Sequence, residues 1–127
     1  MTDWSQIKYF TRDEFRFHGD VEPAPELVRK LDEARGVATM LAGRNVPFVI
    51  TSGIRAPRKN LLAGQLDSAH TTGHAVDIRA WKSRDRFFII KALILQGFNR
   101  LGIYDRHIHV DNSPAHDQDV CWTGRSE

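Results

Sequence analysis

The chain has 127 residues, 41% of them hydrophobic and 27% charged, with one cysteine, a formal net charge of +2 and an isoelectric point near 8.9. This size and balance suit a single domain over residues 1–127 and leave no chain for a second core. The charge falls short of the cationic stripe of a nucleic-acid binder, the lone Cys121 excludes both an internal disulfide and a thiolate metal cage, and no apolar run nears the roughly 20 residues that span a membrane.

In chain order, the opening Met-Thr-Asp-Trp-Ser-Gln lacks the basic start and apolar run of a secretory signal, so synthesis in a reducing cytoplasm is the expectation. Thr11-Arg12-Asp13-Glu14 is a capping-box pattern that predicts a short helix with Phe15 and Phe17 turned inward. Pro23-Ala24-Pro25-Glu26 begins a longer helix, with Leu27, Val28, Leu31, Ala34, Val37 and Leu41 at helical spacing and Gly43 as its stop. Pro47 to Thr51 reads as a strand, followed by a long connection over residues 54–67, a length that is commonly functional.

Residues 75–80 alternate, Val76 and Ile78 to one face and Asp77 and Arg79 to the other, as a half-buried strand does. Ser83-Arg84-Asp85-Arg86 opens a second long helix whose predicted apolar face is Phe87, Ile90, Leu93 and Ile94, ending at Gly97. A strand near 100–104, a turn at Asp105-Arg106 and a strand over 107–111 follow; in the last, Ile108 and Val110 point inward and His107, His109 and Asp111 outward. Residues 112–127 are polar and read as a loose segment. The predicted fold class is α+β: a small, mainly antiparallel sheet backed by two helices, with the site on the opposite sheet face.

Four of the six histidines fall in two short segments, Ser68–Asp77 and His107–His109. A catalytic zinc takes about three protein ligands and keeps one position open. Without a thiolate, a His/Asp/His set is the natural candidate: neighbouring strands would present Asp77 beside His109, and Gly73 permits the turn that brings His70 to the same ion.

The stretch Ser68-x-His70-x-x-Gly73-x-Ala75-x-Asp77, the upstream Thr51-Ser52-Gly53-Ile54-Arg55, and Gly102-Ile103-Tyr104 leading into His107-x-His109-Val110-Asp111 resemble the M15 peptidases. These are the D-Ala-D-Ala carboxypeptidase and phage endolysin group, within a wider set that includes lysostaphin-type enzymes and the Hedgehog signalling domain. The resemblance covers about Phe10 to Asp111 and implies a Hedgehog/D-Ala-D-Ala-peptidase-like fold, with Zn²⁺ held by His70, Asp77 and His109. It also implies that Arg55 binds the substrate carbonyl or developing oxyanion and that Ser68 hydrogen-bonds substrate backbone. Zinc would polarise the scissile carbonyl and lower the pKa of bound water to roughly 7, and a guanidinium would stabilise developing charge.

One position departs from the family. Many relatives carry an acidic residue three places before the last zinc ligand, and here Arg106 stands there. His107 is then the favoured acid/base or transition-state stabiliser, with Asp105 second. Bland readings stand beside these: Ser68 as a turn cap, Arg55 as part of a solvated basic loop, His74 facing solvent, and His18 and His116 without chemistry. Asp111 is read as a group supporting the zinc ligands, with a plain strand terminator as the alternative.

Two functions follow as expectations. The first is a zinc metallopeptidase that hydrolyses peptide bonds in peptidoglycan stem peptides or cross-links by a zinc-activated water, as an endopeptidase or a D,D- or L,D-carboxypeptidase. It would act as a monomer on the cell wall after phage-type release. The alternative is a non-catalytic zinc domain with a structural or peptide-binding role.

Overall fold

The computed structural model describes residues 1–15, 21–53 and 68–126. Two α-helices, α1 (Pro25–Ala42) and α2 (Ser83–Leu95), pack on one face of a five-stranded sheet. Its strands are β1 (Ile50–Ser52), β2 (Ala75–Arg79), β3 (Arg100–Tyr104), β4 (His107–Asp111) and β5 (Val120–Gly124), in the spatial order β1-β2-β4-β3-β5.

The class is α+β as expected, but the sheet is mixed, not mainly antiparallel. β5 lies parallel to β3, while the other neighbouring pairs are antiparallel. The 112–127 segment therefore contains an edge strand where a loose segment is expected. Val120, Cys121, Trp122 and Thr123 are strand-forming types, but they alternate no buried face and stay exposed or half-buried.

α1 starts with Pro25 in its first turn, where a missing N–H costs nothing, and stops at Gly43 in the left-handed region (φ 68°). Leu27, Val28, Leu31, Ala34 and Ala38 are buried along one stripe; Leu41, expected inside, is exposed. α2 is the larger correction. Ile89, Ala92 and Leu93 face the core, whereas the expected Phe87 and Ile94 are exposed, and Ile90 is half-buried. Nearly every position from Phe87 to Leu95 is apolar, so the spacing alone does not select a face.

The capping-box segment forms a 3₁₀ turn, Arg12–Phe15, with the Thr11 amide and hydroxyl both within 3.4 Å of Glu14 Oε1 and Phe15 fully buried. Phe17 and His18 lie outside the described residues. The core joins Leu27, Leu31, Ile89 and Leu93 of the helices to Val76, Ile78, Ile108 and Val110 of the sheet. That burial sets which way β2 and β4 face.

Candidate metal centre

β2 and β4 are paired in register, with Asp77 directly opposite His109 and Arg79 opposite His107. Directly opposed residues on one sheet face have Cβ atoms about 4.5–5.5 Å apart, so the two side chains meet. Because Val76, Ile78, Ile108 and Val110 are fully buried on the helix side, Asp77, His107 and His109 stand on the other side, as the alternation predicts.

His70 arrives from a separate turn. Residues Ala69–Thr72 form a 3₁₀ helix capped by Ser68, whose Oγ accepts the His70 amide (3.2 Å), and Gly73 ends it with φ 81°. A Cβ on Gly73 would lie 2.2 Å from the Glu22 carbonyl oxygen, and the Ala24 amide donates to the Gly73 carbonyl (2.7 Å). Only glycine suits a left-handed residue under such close backbone. The turn leaves His70 fully buried, with its Nδ1 2.7 Å from the carbonyl of Gly53, just after β1.

Three donor atoms converge. His70 Nε2 lies 3.3 Å from His109 Nδ1 and 3.4 Å from Asp77 Oδ1, and His109 Nδ1 lies 3.2 Å from Asp77 Oδ1. Ligands about 2.0–2.1 Å from a tetrahedral zinc are separated by about 3.3–3.4 Å along each edge, so this triangle has the dimensions of one face of a zinc polyhedron. The three residues form the metal-compatible cluster found among the described residues.

The far ring nitrogens support the same assignment. His70 Nδ1 has the Gly53 carbonyl as its acceptor, and His109 Nε2 has Asp111 Oδ2 at 2.6 Å. Such partners place the proton on the outer nitrogen and leave the inner lone pair for a metal. Asp111 is buried and is itself held by Arg100 Nε (2.9 Å) and the Ser113 amide (3.1 Å).

The electrostatics favour a cation at the triangle. Burial pushes the Asp77 carboxyl up, but hydrogen bonds and charge from His109 and His70 outweigh it and hold the group well below the usual carboxylate range. Burial likewise pushes His109 down, and Asp111 and Asp77 together reverse the shift, so its pKa is raised. The field that favours a proton on His109 Nδ1 also favours a divalent ion there.

The remaining predicted residues are distributed as follows. His107 Nε2 is 4.0 Å from Asp77 Oδ2, its Nδ1 is 2.6 Å from Ser126 Oγ, and burial is the main influence lowering its pKa. Asp105 lies in the exposed turn between β3 and β4, and its carboxylate accepts the Ser126 amide. Ser68 caps the His70 turn and lines the cleft beside the triangle. Arg55, like the rest of 54–67, lies outside the described residues. His74 is half-buried, with Nδ1 2.9 Å from Thr72 Oγ1.

The cleft encloses about 220 Å³ and is bounded by Ser68, His70, His109, Tyr104, His116 and Trp122. Larger grooves of about 450 Å³ beside Gly36 and 480 Å³ along α2 hold none of the three converging donors, so donor chemistry, not volume, locates the site. Gly53 and Tyr104 stand in the sequence only as members of the family-like segments, without a site role, and Arg100, Trp122 and Ser126 are not among the expected site residues. Arg100 sits at the start of a predicted strand, and Val120 to Thr123 carry strand-forming residues, which were the signals available.

Neither the curated proteins nor the solved structures yield a match to this chain. A family model described as Peptidase M15 matches residues 8–111, a span that includes α1, β1 to β4 and all three converging donors. The chain therefore belongs to the peptidase M15 family.

Proposed function

We propose that the protein is a zinc peptidase that hydrolyses peptidoglycan stem peptides or their cross-links, as an endopeptidase or a D,D- or L,D-carboxypeptidase. The observation that carries the metal part is the His70, Asp77 and His109 triangle, with edges of 3.2–3.4 Å and an acceptor on each outer histidine nitrogen. Family membership carries the peptidase part, and a peptidase acts on a peptide. The wall substrate extends the resemblance to the D-Ala-D-Ala carboxypeptidases and endolysins. The kinship with lysostaphin-type and Hedgehog domains, action as a monomer, and arrival at the wall after release from the cytoplasm belong to the same proposal.

Bound zinc supplies Lewis-acid polarisation of a carbonyl and brings the pKa of water to about 7. The chain's own groups do the rest. His107 shares the outward face with Asp77, and the lowering of its pKa by burial favours a neutral ring that accepts or returns a proton at Nε2. Arg55 is assigned to the developing oxyanion, and Ser68, beside His70 in the cleft, to substrate backbone. Asp105 is the second candidate base, although its carboxylate is engaged by Ser126.

That engagement, with Arg106 at the family's acidic position, is the observation favouring the second reading, a zinc domain that binds peptide or serves structure without cutting. A turbidity assay on purified cell walls separates the two. The proposal expects clearing by the wild type, its loss with chelator and its restoration by zinc, and no clearing by His70→Ala. Full lysis by zinc-free His70→Ala would overturn it. Full zinc occupancy without cleavage on any wall chemotype would favour the second reading.

A further inference from the structure

The family match stops at Asp111, yet the segment beyond it closes around the His107 to His109 strand. β5 pairs with β3 so that Trp122 lies opposite Gly102 and Gly124 opposite Tyr104. Each glycine makes room for the aromatic ring across from it: a Cβ on Gly102 would sit 2.6 Å from the Trp122 ring, and one on Gly124 would sit 2.9 Å from the Tyr104 ring. Trp122 Nε1 donates to the Tyr104 hydroxyl (2.9 Å). The two rings then flank the two histidines, Trp122 at 5.3 Å from His109 and Tyr104 at 4.3 Å from His107, centroid to centroid.

Two residues past β5, Ser126 reaches the same place. Its hydroxyl accepts the Arg106 amide (3.2 Å) and lies 2.6 Å from His107 Nδ1, and its own amide donates to Asp105. With one lone pair taken by Arg106, the hydroxyl still has a proton to donate to Nδ1 and a second lone pair to accept from it. It can therefore hold the ring in either protonation state while Nε2 faces Asp77. A carboxylate in that place would favour the charged ring; a serine orients it without doing so.

We propose that the 120–126 segment completes the reactive face, with Ser126 as the positioning residue that fixes the His107 ring through Nδ1. This rests on the reading of His107 as the acid/base or transition-state-stabilising group. A fixed ring matters because a small misplacement of a reacting group lowers turnover steeply.

The test uses the full zinc-loaded chain. Ser126→Ala is expected to lower kcat on a wall-peptide substrate about tenfold, with KM within about twofold and zinc content and Tm unchanged; Ser126→Thr, which keeps the hydroxyl, restores kcat. Imidazole nitrogen NMR supplies a readout independent of turnover: the His107 Nδ1 shift is that of a hydrogen-bonded nitrogen in the wild type and moves towards the solvent-exposed value in Ser126→Ala. Wild-type kcat in Ser126→Ala alongside an inactive His107→Gln overturns the positioning role alone, as does an unchanged His107 signal. Wild-type kcat in His107→Gln overturns the His107 reading itself. A kcat loss matched by loss of zinc or of Tm makes Ser126 a structural staple and likewise overturns the proposal.

Discussion

The two faces of the β2 and β4 pair differ in nearly every physical respect although they share one backbone. On the helix side, Val76, Ile78, Ile108 and Val110 are fully buried in the apolar core; on the other, Asp77, His107 and His109 are half-buried and hydrogen-bonded to one another or to loops. The difference teaches where the site's precision originates. A one-residue slip in strand register would exchange the faces, so the burial that holds Ile108 and Val110 inward also holds His109 opposite Asp77. The apolar face sets stability and register, and the polar face spends that order on donors.

Damage to the apolar face gives the largest expected effect on stability. Ile108→Ala should cost about 2–5 kcal/mol, measured by denaturant unfolding of the metal-free protein, while a separate titration of the folded variant should still show zinc binding. A loss under about 1 kcal/mol would break the comparison, since Ile108 would then not anchor the register.

Gly73→Ala acts at the joint between the faces. A left-handed alanine costs about 1–3 kcal/mol, and the Glu22 carbonyl leaves no room for its Cβ. The variant should lose stability and also bind zinc more weakly, because the same turn carries His70. Unchanged thermal unfolding and zinc affinity would contradict this.

On the polar face alone, Asp111→Asn removes the charge behind His109 Nε2 and should weaken zinc about 10–100-fold, read by competition with a chelator. For the wild type, zinc affinity should fall as pH drops through the raised pKa of His109, because a metal-ligating histidine must give up its proton. A flat affinity over that range would argue against His109 Nδ1 as a ligand.

Much of this arrangement is legible in the sequence, and the reasons are specific. β2 and β4 show strict alternation with β-branched residues on one side, so both the strands and their outward Asp77, His107 and His109 can be read directly. Gly43 marks the end of α1 because a left-handed residue is needed there. The inward face of α2 is not legible, since Phe87, Phe88, Ile89, Ile90, Leu93, Ile94 and Leu95 offer apolar residues all around the helix, and only packing selects Ile89, Ala92 and Leu93. β5 is hidden for the opposite reason: as an exposed edge strand it has no buried stripe. Its contribution through Trp122 and Ser126 depends on parallel pairing with β3, a long-range contact that no local pattern encodes.

The most direct test of the central claim is the zinc content of the purified wild type and of Asp77→Asn, measured by elemental analysis after dialysis against trace zinc, with folding checked by circular dichroism. Asp77→Asn preserves size and removes the negative charge at one corner of the donor triangle. The account predicts about one zinc per wild-type chain and far less than that in the folded variant. A folded wild type that binds no zinc, or an Asp77→Asn protein that binds it equally well, would contradict it.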